Sequence, residues 1–207
     1  MKVTAVKSQN KGRNRFSIFI DGEYSLGLGL RAFEESGIFV GKEISTSELE
    51  NLKSVNRIYQ ALDRACKYMA NRPRSESEVR NRLRRYGYDE MTVNSVIDRL
   101  RKSGLVDDTA FASFWKENRS QFQPRSARML TAELRQKGVD PQTVTQVASE
   151  IDDRNEALRA GAKKARSLSQ ADYPEFRRKL TAFLYRRGFD YDVIGSTVEH
   201  FWNEKHK

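Results

Sequence analysis

The hydrophobic pattern of this chain changes period once. Over residues 1–30 apolar and polar positions alternate: Phe16, Ile18 and Ile20 share one face, and Ser17 and Phe19 take the other. Asp21-Gly22 follows, a dipeptide that favours the backbone of a tight hairpin turn, and Tyr24, Leu26, Leu28 and Leu30 continue with period two. Gly27 and Gly29 lie on the opposite face and predict a bulge or a close backbone approach. A short helix is predicted over 31–36, ended by Gly37, with a further short strand at Ile38-Phe39-Val40. From Ser47 onward the period is helical. Ser47 and Glu50 read as a capping box ahead of Leu49, Leu52 and Val55, and Ser75 and Glu78 as another ahead of Val79 and Leu83. Between them a helix over 58–70 carries Ile58, Leu62, Ala65, Cys66 and Met69 on one face, and Arg72-Pro73 breaks it.

One pattern occurs three times. It reads Leu83-Arg84-Arg85-Tyr86-Gly87-Tyr88-Asp89, then Leu134-Arg135-Gln136-Lys137-Gly138-Val139-Asp140, then Leu184-Tyr185-Arg186-Arg187-Gly188-Phe189-Asp190. The glycines lie 51 and 50 residues apart, a period that signals tandem structural units and an extended binding surface. Each glycine reads as the left-handed residue ending a helix, and each aspartate as the cap of the next, with Pro141 at a favoured first position. The capped helices carry matched apolar positions at i, i+3, i+4 and i+7. These are Val93, Val96, Ile97 and Leu100; Val144, Val147, Ala148 and Ile151; and Ile194, Thr197, Val198 and Phe201. Helices over 58–70, 108–120 and 155–167 complete three units of three helices. The predicted fold is mainly α: a tandem array of three three-helix repeats (47–106, 107–152 and 153–207) preceded by a small N-terminal β-hairpin and strand region (1–46).

Composition narrows the function. The 207 residues carry 38 basic and 28 acidic side chains, a net charge of +10. Residues 1–50 hold seven of each sign, so the whole excess lies in 51–207, and the first repeat is the most basic, with 11 against 6 over 58–106. A basic excess confined to the helical region points to a polyanion or an acidic protein surface, against the plainer reading of a solvated surface. A single cysteine, Cys66, excludes an intrachain disulfide and suits a reducing cytoplasm. No apolar run reaches membrane-spanning length, and Met1-Lys2-Val3-Thr4-Ala5 lacks the apolar core of a signal peptide, so a cytoplasmic location without membrane attachment is expected.

No catalytic constellation, Gly-rich phosphate loop or metal spacing is present in the sequence, and no cofactor is expected. Cys66, alone on an apolar helical face, reads as core before nucleophile. Asp107-Asp108 reads as a helix cap before a metal site. Within the pairs Phe114-Trp115 and Phe201-Trp202, periodicity predicts one buried member each, with nucleotide stacking the minority reading. The basic clusters are the candidate site: Arg82, Arg84 and Arg85; Arg99, Arg101 and Lys102; Arg125 and Arg128; Lys163 and Lys164. Several fall in last helical turns, where a cation favours the helix dipole by about 0.3–1 kcal/mol. That accounts for some of them, and phosphate or acidic-surface contact for their recurrence unit after unit.

These residues resemble a known family. Arg72-x-x-Ser75-Glu76-x-Glu78, Leu83-x-x-x-Gly87 and Val96-Ile97-x-x-Leu100 resemble the first repeat of the RecX regulatory proteins. Gly104-Leu105-Val106-Asp107-Asp108-x-x-Phe111-Ala112 is similar to that family's most recognisable stretch, and Glu133-Leu134-x-x-Lys137-Gly138-Val139 to its second repeat. The N-terminal strands with Asp21-Gly22 are similar too. The chain departs from the family where Pro124-Arg125-Ser126 replaces a common glycine, and its third repeat matches weakly. The resemblance implies a non-enzymatic modulator of the RecA recombinase that binds RecA and its filament on single- or double-stranded DNA. Such proteins usually inhibit filament growth, ATP hydrolysis, strand exchange and coprotease activity. A monomer is expected, since no dimerisation heptad is present. The alternatives are a free-standing DNA-binding protein, because three-helix units resemble helix-turn-helix modules, and a passive helical scaffold.

Overall fold

The computed structural model describes residues 1–9 and 15–205. Their contacts group into two units: Met1–Arg72 with Val79–Val106, and Pro73–Glu78 with Asp107–Lys207.

The first unit opens with a three-stranded antiparallel sheet in the order β1 (Val3–Ser8), β2 (Arg15–Ile20), β3 (Glu23–Gly29). Asp21 and Gly22 both have positive φ, 49° and 90°, as the expected tight turn requires. A register shift at Ile18/Phe19 sets Arg15 opposite Gly29. Helix α1 (Leu30–Ser36) ends on Gly37 in the left-handed conformation, as predicted. The strand expected at Ile38-Phe39-Val40 is absent. Only Ile38 is buried, and Phe39 and Val40 stand exposed in a turn closed by Lys42 N–H donating to the Phe39 carbonyl. The reversal at Gly41 returns the chain to the edge of β1, where Gly41 N–H donates to the Val3 carbonyl.

Helix α2 (Thr46–Met69) is one continuous helix where the sequence pattern suggested a capped start and a separate helix over 58–70. Its cap is Ser45 with Glu48, two residues earlier than predicted; Ser45 Oγ accepts from Glu48 N–H at 3.1 Å, and Glu48 Oε2 accepts from Ser45 N–H at 2.7 Å. The first half of α2 closes the sheet core through Leu52 and Tyr59. Its second half supplies Ala61 and Ala65 to a second core with Val79, Leu83, Val93, Val96, Ile97 and Leu100. The shift of face explains why Cys66 is exposed and outside the core predicted for it. Helix α4 (Glu90–Lys102) is capped by Asp89, which accepts from Thr92 N–H at 2.8 Å.

The second unit contains α5 (Asp108–Phe122), α6 (Ala127–Gln136), α7 (Pro141–Ser149), α8 (Asp153–Arg166), α9 (Tyr173–Tyr185) and α10 (Tyr191–Lys205). One core gathers Phe111, Leu130, Leu134, Val139, Val144 and Val147; another gathers Phe176, Leu180, Leu184, Phe189, Ile194 and Val198. Asp140 caps α7 with Pro141 at the first position, and Asp190 directly precedes α10. Neither member of Phe114-Trp115 nor of Phe201-Trp202 is fully buried. Trp115 donates to Glu133 at 2.7 Å, and Trp202 packs on Tyr173 and Phe176, so these rings seal cores from the side.

Two junctions in this unit repeat one geometry. Asp107 caps α5, as expected, accepting from Thr109 and Ala110. Asp108 instead accepts from Glu76 N–H at 2.8 Å, at the start of α3 (Glu76–Arg85). Asp153 accepts likewise from Ala127 N–H at 2.7 Å, at the start of α6. The caps of α3 and α6 are also engaged: Ser75 Oγ donates to the Lys137 carbonyl at 2.6 Å, and Ser126 N–H to the Arg187 carbonyl at 3.1 Å. Burial, reinforced by neighbouring carboxylates, pushes both Asp108 and Asp153 above the ordinary carboxylate range. A raised folded pKa stabilises below the unfolded value of about 3.9, and that contribution is lost as pH rises through the folded pKa. At neutral pH both groups are therefore charged at a cost. Asp108→Asn and Asp153→Asn, which keep an acceptor without the charge, are expected to melt with the parent near pH 4 and above it at pH 7. The alanine variants orphan a helix N–H and should lose about 1–3 kcal/mol. Thermal melts from pH 4 to 7 should show the parent, but not the asparagine variants, losing this increment as pH rises.

Candidate functional site

Among the described residues no group of His, Cys, Asp and Glu could hold a metal ion. Partial burial and the Asp63 carboxylate push the exposed Cys66 thiol above its ordinary range, which leaves little thiolate at neutral pH. The chemistry available is therefore that of the basic side chains.

Helix α3 and helix α2 interleave their arginines with tyrosines in the first unit. The Arg82 guanidinium lies 5.3 Å from the Tyr68 ring and 4.8 Å from Tyr86. Arg64 lies 4.7 Å from the same Tyr86 and 5.7 Å from Tyr88, and Arg57 lies 5.6 Å from Tyr88. Such contacts hold a guanidinium in place by about 0.5–1 kcal/mol at exposed sites without neutralising it. Arg84 is committed elsewhere, to a bidentate pair with Glu90 at 2.6 and 3.0 Å, which holds the Glu90 carboxyl below its ordinary range. Arg99 lies 4.8 Å from the Tyr59 ring, and Arg101 pairs with Asp98 at 3.6 Å. Arg85 and Lys102 are exposed, and their side chains have no partner among the described residues.

In the second unit, Glu133 gathers Arg125 at 2.5 Å and Arg119 at 2.7 Å. Arg128 donates to the Gly188 carbonyl at 3.1 Å. Burial lowers the pKa of Arg187, and the nearby charges of Arg125 and Arg186 lower it further. The fold thus brings sequence-distant arginines together where α6 meets the end of α9. Lys163 and Lys164 sit in the last turn of α8, also with no side-chain partner among the described residues.

The first unit also holds a cleft that the sequence pattern did not single out. Its volume is about 490 Å³, and its walls include Arg15 of β2, Gly29 and Arg31 at the β3–α1 corner, and Tyr59, Asp63, Arg64 and Lys67 of α2. Four exposed cations face one carboxylate there. The pairing of Arg15 with Gly29 brings the strand cation beside Arg31, and the i, i+3 spacing of Arg64 and Lys67 puts both on one face of α2. The hairpin turn, the helical spacing and a bulge or close approach near Gly27 and Gly29 were visible in the sequence; the meeting of these two walls in one cleft was not.

Comparison with known proteins places the chain. Residues 1–45 match the profile of the regulatory protein RecX N-terminal domain. Residues 61–100, 107–147 and 152–198 match the first, second and third three-helix domains of RecX. A regulatory protein RecX of Clostridium botulinum is 27% identical, over 98% of this chain and 97% of its own length. One of Listeria welshimeri is 24% identical, over 99% of this chain and 77% of its own. The fold is shared with a crystal structure of regulatory protein RecX, at a TM-score of 0.74 and 19% identity over 96% of this chain and 98% of that one. It is shared too with RecX from Lactobacillus salivarius, at a TM-score of 0.60 and 20% identity over 70% of this chain and 96% of that one. The four domain matches follow one another in order along nearly the whole sequence, and the chain belongs to the RecX family, a family of regulatory proteins and not of enzymes.

Proposed function

We propose that this chain binds the RecA recombinase, chiefly as its filament on DNA, and restrains ATP hydrolysis, strand exchange and coprotease activity. The observation that carries this reading is the ordered set of four RecX domain matches. The basic excess of the helical region supports it, as a surface suited to a filament that is itself a nucleoprotein. In this reading the protein acts as a cytoplasmic monomer without a cofactor. Its three repeats (47–106, 107–152 and 153–207) are contact modules, and its presence on the filament blocks added protomers or the incoming duplex. Arg85, Lys102, Lys163 and Lys164 are the nominated cations whose side chains have no partner among the described residues, so they meet the filament first.

The test is the ATPase rate of the cognate RecA on single-stranded DNA, with this protein titrated from well below one per RecA. The expected result is a fall in rate at substoichiometric amounts, because capping a growing end needs few molecules. An unchanged rate through equimolar protein would overturn the reading. A second reading, a free-standing DNA-binding protein, is favoured by the cationic cleft of the first unit and predicts tight DNA binding without RecA.

A further inference from the structure

We propose that the cleft between β2, the β3–α1 corner and α2 binds the sugar-phosphate backbone of a nucleic acid strand. The site lies where the N-terminal sheet meets α2 of the first repeat, and it shares Arg64 with the arginine–tyrosine cluster described above.

Three observations carry it. Four cations, Arg15, Arg31, Arg64 and Lys67, line one concavity against a single carboxylate, Asp63. Arg15 and Arg31 come from residues 1–50, which are neutral as a whole, and Arg64 and Lys67 from the basic first repeat, so the fold brings together charges that the sequence keeps apart. The cations also divide between two walls, with Arg15 and Arg31 on the sheet side and Arg64 and Lys67 on α2. A small free phosphate needs cations converging on one point, whereas the α2 wall from Tyr59 to Lys67 runs about 12 Å at the helical rise. That length suits several phosphates in succession, and a trough of about 490 Å³ admits one strand of a few nucleotides.

The cations are also prepared for an anion. Arg64 is steadied by the rings of Tyr86 and Tyr88 and has no carboxylate partner among the described residues. The Arg15 guanidinium lies against Gly27, where an added Cβ would come within 3.3 Å of it. Since the contacts are to phosphate, binding should depend strongly on salt and little on sequence.

The test uses the full chain, without RecA, and the fluorescence anisotropy of a labelled oligothymidylate titrated at several salt concentrations. Arg31→Gln/Lys67→Gln removes two exposed cations that belong to neither core. The double variant should bind about tenfold more weakly at low salt, with the log–log salt slope shallower by about 1.4, which is two single-strand phosphate contacts. Lys2→Gln/Lys53→Gln removes the same charge outside the cleft and should leave affinity and slope at parental values. Matched melting curves show that each variant is folded. Parental affinity and slope in Arg31→Gln/Lys67→Gln would overturn the proposal. So would saturable tripolyphosphate binding that the variant loses while its DNA binding is kept, which marks a free polyphosphate site. Unchanged DNA binding with lost inhibition of RecA would assign the cleft to an acidic protein surface and overturn it equally. The primary readout contains no RecA, so its failure is distinct from failure of the RecA reading.

Discussion

Alanine at Gly138 or Gly188 is expected to destabilise the protein far more than alanine at Gly87, although the three glycines occupy the same place in the repeated pattern. All three have positive φ: 80° at Gly87, 77° at Gly138 and 88° at Gly188. A left-handed backbone alone disfavours an L side chain by about 1–2 kcal/mol. At Gly87 nothing lies within 4 Å of an added Cβ, so the cost should stop there. At Gly138 the added carbon would come to 2.4 Å from Ser77 Cβ. At Gly188 it would meet Ser126 Oγ at 2.6 Å and Met129 Cβ at 2.9 Å. Ser77 and Met129 both lie in first helical turns, so relief requires backbone movement, and overpacking adds about 1–3 kcal/mol. The expected losses are therefore about 1–2 kcal/mol for Gly87→Ala and about 2–5 kcal/mol for Gly138→Ala and Gly188→Ala. Urea unfolding followed by circular dichroism measures them. Equal losses at the three positions would contradict the junction contacts described for the second unit.

Replacing Asn56 with alanine should cost about 2–4 kcal/mol, because its side chain answers two main-chain groups at once. Asn56 Nδ2 donates to the Gly27 carbonyl at 2.9 Å, and its Oδ1 accepts from Gly29 N–H at 3.3 Å. The residue is buried on α2 among the side chains that close the sheet core. Removing it leaves a donor and an acceptor of β3 without partners, in a place where the closing helix limits access of water. Aspartate should fare little better, since it can accept from Gly29 but cannot donate to Gly27. Gly29 lines the cationic cleft, so Asn56→Ala should also weaken oligonucleotide binding, whereas a purely local packing role would change the melting temperature alone. Hydrogen exchange at Gly29 is the direct check, and parental protection there would show that the bond contributes nothing.

Much of the fold was legible because local rules and tertiary packing agree. The positive φ values at Asp21 and Gly22, and at the three glycines of the repeat, follow from steric demands that only neighbouring residues impose. The four apolar positions matched across the repeats, Val93, Val96, Ile97 and Leu100 in α4, are all buried, since a period of 3.6 leaves a short helix only one face to bury. The misread elements are those where two local signals competed. Ser45-Glu48 and Ser47-Glu50 both fit a capping box, and the chain uses the earlier one. Ile38-Phe39-Val40 has the composition of a strand, but only Ile38 finds a core to enter. Cys66 fits an apolar stripe, yet α2 turns its alanines inward, Ala61 and Ala65, where it packs most closely with α4.

The candidate site was legible as chemistry and not as arrangement. Charge and spacing identified the arginines, but whether each is available depends on partners far away in sequence. Arg84 is held by Glu90, Arg125 by Glu133 and Arg128 by the Gly188 carbonyl, while Arg85 and Lys102 remain open to solvent.

The amino-acid sequence alone determined the repeat, its helix ends, the net charge and the family, because these depend on short-range sterics, on composition and on ordered motifs. Tertiary structure alone decided that Asp108 and Asp153 cap the starts of other helices, and that Gly138 and Gly188 must be glycine for space as well as for φ. It alone decided, too, that Arg15, Arg31, Arg64 and Lys67 share one cleft. The physical reason is common to all three: desolvation, close packing and the summing of charge act through space, between residues that the chain separates by up to 62 positions, as Ser126 and Gly188 are.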